Sequence, residues 1–451
     1  TATHFLADAI PAIPLVWVSV ALAERFCGPR GSVPASRLAA ADAFFVAVDS
    51  AATPQQLGAL VVIDHDATDA AAYRDRLTTV IQAHLDQLPR FQQRIVSPES
   101  RWQRPRWAPT TEVDWHWHVG LRDLTDTANC PSDTSALNSL VAELASTPLP
   151  MQRPPWRFVV ATGFAPGKLA AILIVHHAVA DGLQILAQMG ALLQPPAGVA
   201  PPVGDRPGLL PRAMGTVIGL AQLATDGRNH YLLASGSNLQ FGAFGVPLAT
   251  LCDAARAHRV HVTDVLLSAM AGALSQLLDP APPTVRVEVP LTMRAAAAHR
   301  GGNATGAVMI ELPLNRIPES DRLAKIGTRS RRLSSGTRGL GSRFVTGAVC
   351  EMLPAPVLSR FARTVYGHRF FQAILSNMPG RAGTHRLAGA PITAVYPIVP
   401  LAPRVPLAVG SLSWGGTMFV GISIDRALLD VNTFTAAFQA TLFELMSPSR
   451  Y

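Results

Sequence analysis

The residues best suited to chemistry form one short run: His176, His177, Asp181 and Gly182, spaced His-His-x-x-x-Asp-Gly. A neutral imidazole, with an ordinary pKa of about 6.5, takes a proton from a hydroxyl or thiol near neutral pH and hands it back later. The spacing therefore suits general-base catalysis. Adjacent residues leaving a strand point to opposite sides, so the two imidazoles cannot face one substrate alike; one is expected to act as base and the other as structure. Asp181 can curl back onto the backbone or pair with an arginine, and Gly182 lifts the steric limit on that turn. Two other readings stand beside this one. A packed, hydrogen-bonded structural pair accounts for the adjacent histidines equally well. A metal pair accounts for them less well, because no nearby Cys or Glu completes a ligand set.

The flanking segments must position this run. Residues 169–175 are apolar and rich in β-branched side chains, which predicts a buried strand. Residues 183–189 have helical spacing and good helix formers. The histidines thus fall where a strand turns towards a helix, a place where rigid elements hold a reactive loop.

The remaining composition narrows the function class. The chain has 451 residues, enough for two or three domains with large cores. It is 49% hydrophobic and only 15% charged, with positive mean hydropathy, a balance that fits a protein handling lipid. The net charge of +8 is almost all arginine, since Lys168 and Lys325 are the only lysines. Such charge favours anionic partners, namely lipid headgroups or phosphates. Nucleic acid is not expected, because there is no zinc-finger spacing and no dense basic run with interleaved aromatics. Cys27, Cys130, Cys252 and Cys350 are scattered without a C-x-x-C, so reduced thiols and a cytoplasmic location are expected. No G-x-S-x-G elbow marks a lipase-type nucleophile. The apolar stretch 5–26 is broken by Asp8, Pro11 and Pro14, and its clean part, 15–23, is too short to span a bilayer; a covering helix is preferred over an interfacial anchor.

The His176 to Gly182 motif resembles the active-site motif of the bacterial wax ester synthase/diacylglycerol acyltransferase family. That family belongs to the CoA-dependent acyltransferase superfamily, with chloramphenicol acetyltransferase and the condensation domains of peptide synthetases. Other segments resemble the family in the same order. They are Asp42-Ala43-Phe44-Phe45 before Gly58-Ala59-Leu60, the segment from Pro148 to Trp156, Pro290-Leu291-Thr292-Met293-Arg294, Gly302-Asn303, Ser376-Asn377-Met378-Pro379-Gly380, and Tyr396-Pro397. The likeness covers roughly residues 38–446. The sequence departs from the pattern at Pro155, at Thr263, read here as a helix N-cap, and at Trp414.

The resemblance implies an α/β fold of two chloramphenicol-acetyltransferase-like domains, each a mixed sheet with helices, with an active-site channel between them. The expected division is an apolar extension at 1–37, an N-terminal domain at 38–190, a Pro/Gly-rich linker at 191–245 and a C-terminal domain at 246–451. It further implies that His177 is the base, that His176 and Asp181 complete the catalytic motif, and that Arg294 pairs with Asp181. Gly182, Trp156, Asn303, Ser376, Asn377, Pro379 and Gly380 are expected at the substrate. Ser376 and backbone amides at a strand end would face a developing oxyanion. The implied reaction moves an acyl group from acyl-CoA, a co-substrate, to diacylglycerol or a long-chain alcohol, with no metal or bound cofactor. A peripheral membrane or lipid-droplet surface is the implied setting. A catalytically silent lipid-binding relative and a condensation-type acyltransferase are the alternatives.

Overall fold

The computed structural model describes residues 36–64, 69–125, 134–195, 231–292, 305–334 and 350–447. In chain order the elements are β1 (Ser36–Arg37), α1 (Ala40–Val48), β2 (Gln56–Asp64), α2 (Ala70–Ala83), β3 (Gln93–Val96), β4 (Arg106–Pro109), α3 (Trp115–His118), β5 (Val119–Asp123), α4 (Ser135–Ser146), β6 (Trp156–Thr162), β7 (Lys168–His176), α5 (Gly182–Met189) and β8 (Leu193–Gln194). There follow β9 (Leu239–Pro247), α6 (Leu248–Ala257), α7 (Val262–Leu277), β10 (Thr284–Thr292), β11 (Thr305–Pro313), α8 (Glu319–Ser334), α9 (Cys350–Met352), α10 (Ala355–Val365), β12 (Ala373–Arg381), β13 (Arg386–Leu387), β14 (Ala390–Ile398), β15 (Leu407–Trp414), β16 (Thr417–Asp425) and α11 (Val431–Met446).

Two mixed sheets carry the molecule. The first runs β5-β6-β7-β2-β14-β13-β8 and the second β11-β10-β12-β15-β16-β9, while β1, β4 and β3 form a small third sheet. In the first sheet β7 is wholly apolar and buried apart from its ends, because β2 and β6 flank it and both of its faces are covered. In the second, Val285, Val287 and Val289 of β10 enter a core built on α7 and α11, in which every residue of α7 from Asp264 to Ser275 is buried. No single helix among the described residues is long and apolar enough to cross a membrane.

The chain exchanges strands between its halves. Strands β13 and β14 follow β12 in sequence but join the first sheet, with β14 antiparallel to β2 over six paired positions. These two strands cross the expected division at 191–245. The expected linker also gives up its end: residues 239–245, rich in glycine, join Val246 and Pro247 in the edge strand β9. Gly242 is what permits it, since a Cβ there would lie 2.8 Å from both Thr435 Oγ1 and Val431 Cγ2 of α11.

One smaller expectation also changes. The N-cap of α7 is His261 rather than Thr263, with the His261 N–H donating to Asp264 Oδ2 at 2.9 Å; Thr263 Oγ1 instead accepts from Asn377 Nδ2 at 3.0 Å. Of the arginines at 325–343, Arg329 and Arg331 donate to backbone carbonyls of Glu311 and Arg259. The stretch 5–26, Arg294, Asn303 and the segment 335–349 lie outside the described residues.

Candidate active site

Strand β7 ends at His176, and a turn carries the chain through His177 to α5. Two backbone bonds pin the pair: His176 N–H donates to Pro155 O at 2.9 Å, and His177 N–H donates to Gln55 O at 2.8 Å. The side chains then part, as alternation requires. His176 is buried, and its Nδ1 accepts from the Ala178 N–H at 3.0 Å, which leaves the proton on Nε2. That nitrogen faces Asp49 Oδ1 at 3.7 Å, and the same Oδ1 accepts the Gln55 N–H at 2.8 Å. One carboxylate therefore organises both the buried imidazole and the residue that holds His177.

His177 turns the other way. Its ring lies flat on Phe45, with centroids 3.6 Å apart and planes 8° from parallel, and it borders a cavity of about 330 Å³. The cavity lies between the two sheets: Leu57, Ala59 and Leu173 face it from the first, and Pro290, Met309, Ile374 and Met378 from the second. Asp181 and Gly182 line it as well. Asp181 caps α5, its Oδ1 accepting from the Gln184 N–H at 2.9 Å. Gly182 lets β12 come close, because a Cβ there would stand 2.8 Å from Met378 Sδ.

The other expected site residues divide. Ser376 lines the cavity. Asn377 does not; it is a clamp inside the second half, donating to Thr263 and accepting from Ser411 Oγ at 2.9 Å. The segment from Ser376 to Gly380 is not a turn at a strand end. Strand β12 continues through it, with a register shift against β15 between Met378 and Arg381; exposed Pro379 sits in that irregularity, and the Gly380 N–H is taken by Ser413 Oγ at 3.0 Å. A Cβ on Gly380 would run into the Ser413 carbonyl. The Gly380 amide, expected to face a developing oxyanion, is thus bonded within the protein.

Trp156 lies away from this space. It is fully buried in the first core, stacked on Phe91 at 4.5 Å, with its Nε1–H donating to Phe91 O at 3.0 Å, and it does not border the cavity. Its carbonyl meets Nδ1 of His118 at 2.9 Å, and burial pushes the His118 pKa down to about 4, as fits a structural histidine. Among the tryptophans, Trp414, which stands where the family pattern has Tyr, reaches the cavity wall.

Two cavity residues escaped the sequence reading. Phe45, which orients the imidazole, lay inside a segment noted only for its likeness to the family's opening. Glu288 lies on the face of β10 opposite its three valines and lines the cavity; burial pushes its pKa up to about 8. The only signal was a charged residue alternating with valines, which for a strand with one solvated face reads as solvent-facing.

Comparisons with known proteins agree with one another. Residues 38–229 match the profile described as the wax ester synthase/diacylglycerol acyltransferase catalytic domain, and 301–446 match the C-terminal domain of the same family. A Mycobacterium tuberculosis H37Rv protein, Rv2484c, with a provisional diacylglycerol O-acyltransferase name, is 26% identical over 427 residues, covering 83% of this chain and 85% of the relative. Among solved structures, the wax ester synthase/diacylglycerol acyltransferase of Marinobacter aquaeolei VT8 superposes with a TM-score of 0.65 at 19% identity, covering 91% of this chain and 98% of that one. The first condensation domain of the calcium-dependent antibiotic synthetase gives 0.58 at 18% identity, covering 92% and 96%. The fold is that of these two proteins.

Proposed function

The chain belongs to the wax ester synthase/diacylglycerol acyltransferase family, and on that premise we propose that it is an acyl-CoA-dependent O-acyltransferase. It would form triacylglycerol from diacylglycerol, or wax esters from long-chain alcohols. His177 is the general base. Its imidazole takes the proton of the acceptor hydroxyl as that oxygen attacks the thioester carbonyl. The tetrahedral intermediate then collapses, the C–S bond breaks, and the imidazolium returns the proton to the CoA thiolate. His176 does not touch substrate in this reading: its tautomer is used up in holding the turn. Asp181 positions α5, and Ser376 borders the space where the reacting groups meet.

The observation that carries the reading is the His177 ring held flat on Phe45 at the wall of an apolar cavity between the two sheets. Such a wall suits alkyl chains and excludes water, which would otherwise hydrolyse the thioester. The test is transfer of label from radioactive palmitoyl-CoA to diolein and to hexadecanol. The wild-type protein forms ester with at least one acceptor, and His177→Ala lowers the rate by about 10²- to 10⁴-fold, the usual worth of a positioned base. Unchanged ester synthesis in H177A would overturn the assignment. Retention of lipid without product from the wild type would favour the silent lipid-binding relative.

A further inference from the structure

Glu288 is a buried carboxyl in a mostly apolar cavity, on a strand that holds none of the catalytic motif. The pairing of β10 with β11 sets Glu288 opposite Met309 and Pro290 opposite Ala307, and the pairing with β12 sets Glu288 opposite Ile374. All of these line the same cavity wall. Its Oε2 is buried and has no hydrogen-bond partner among the described residues. The cation on its strand, Arg286, pairs with Glu311 at 3.0 Å. The group facing it from the other side is the buried phenol of Tyr366, whose ring packs edge-on to Phe45 at 5.9 Å, and Phe45 in turn stacks on His177. Among the described residues no counter-charge stands against it, and burial favours the uncharged carboxyl, which both donates and accepts.

A buried polar group kept without a protein partner calls for a partner from the ligand. We propose that Glu288 determines substrate specificity by hydrogen-bonding an oxygen function, a hydroxyl or an ester carbonyl, carried on the long chain that occupies the cavity. The inference rests on reading this cavity as the acyl-transfer site. A plain fatty alcohol brings its one oxygen to His177 and leaves Glu288 unsatisfied. A glycerolipid, a diol or a hydroxylated acyl chain satisfies both points. Sites built to bond a polar group discriminate strongly against the analogue that lacks it, because the penalty falls on the unpaired protein group.

The experiment compares paired substrates with the full chain. Palmitoyl-CoA is given with 1,12-dodecanediol or 1-dodecanol and with 1,2-dioleoylglycerol or hexadecanol, which reads the acceptor chain. Stearoyl-CoA and 12-hydroxystearoyl-CoA are given with hexadecanol, which reads the donor chain. Wild-type kcat/KM favours the oxygen-bearing member of at least one pair. That preference falls at least tenfold in Glu288→Met, which keeps the volume and loses the polar group, and is largely kept in Glu288→Gln. A preference unchanged in E288M, or lost equally in E288Q, overturns the proposal. If the wild type makes no ester at all, the same lipid pairs are scored for retention by native mass spectrometry. A preference for the oxygen-bearing lipid that disappears in E288M then upholds the role of Glu288 while the acyl-transfer reading falls; equal retention in both proteins sinks both.

Discussion

Gly182 closes the His-His-x-x-x-Asp-Gly motif, and its role can be separated into conformation and contact. Its backbone does not adopt positive φ, and it occupies the first position of α5, where alanine is ordinarily the better residue. Contact is the remaining reason for glycine. A Cβ would stand 2.8 Å from Met378 Sδ, roughly 1 Å inside a normal contact. Overpacking costs about 1–3 kcal/mol, and because a methionine end can swing aside the lower half of that range, about 1–2 kcal/mol, applies here. Against it stands the about 0.4–1 kcal/mol that Gly→Ala returns by narrowing the unfolded ensemble. Gly182→Ala should therefore lower stability by about 0.5–1 kcal/mol in the wild-type background and raise it by about 0.5 kcal/mol when Met378 is already alanine. The double-mutant cycle, read by urea unfolding of the four proteins, should show a coupling of about 1–1.5 kcal/mol. If G182A costs the same in both backgrounds, the glycine is not there for Met378 and the packing argument fails.

Two further outcomes follow from the same geometry. Phe45→Ala removes the plate on which the His177 ring lies, so kcat/KM for ester formation should fall about tenfold through a misplaced base, with no further loss when F45A is added to H177A; additive losses would mean that Phe45 acts elsewhere in the cavity. His118 has a folded-state pKa of about 4, below its unfolded value, so the unfolded chain binds the proton first and stability is lost as pH falls from about 6.5 towards 4. Urea unfolding should show about 2 kcal/mol less stability at pH 5 than at pH 7 from this group alone, and His118→Gln should remove that part of the acid sensitivity; an identical pH dependence in H118Q would contradict it.

Much of the local structure was legible. Strand β7 and helix α5 lie where hydrophobic period and helix propensity put them, to within a residue at each end. The histidine pair was expected to diverge, and it does, because alternation along β7 leaves no other outcome. Less legible were segments whose residue types suit two environments. Glycines in 239–247 read as loop, yet Phe241, Phe244 and Val246 bury themselves and the glycines admit α11. Trp156 read as a substrate contact, yet a large aromatic beside a functional motif packs a core equally well, and here it does.

The amino-acid order by itself determined which residues can accept a proton, which segments become strand or helix, and, through the resemblance of its motifs, the family. Only the tertiary structure decided which face of each element meets the substrate space. Whether Glu288 is solvated or enclosed depends on α1, α10 and the first sheet closing one cavity over its face of β10, and whether Asn377 touches ligand or protein depends on where Thr263 and Ser411 arrive. Local pattern records that a side chain alternates or repeats; it carries no record of what is packed opposite, because that partner comes from chain hundreds of residues away, as Phe45 does for Tyr366.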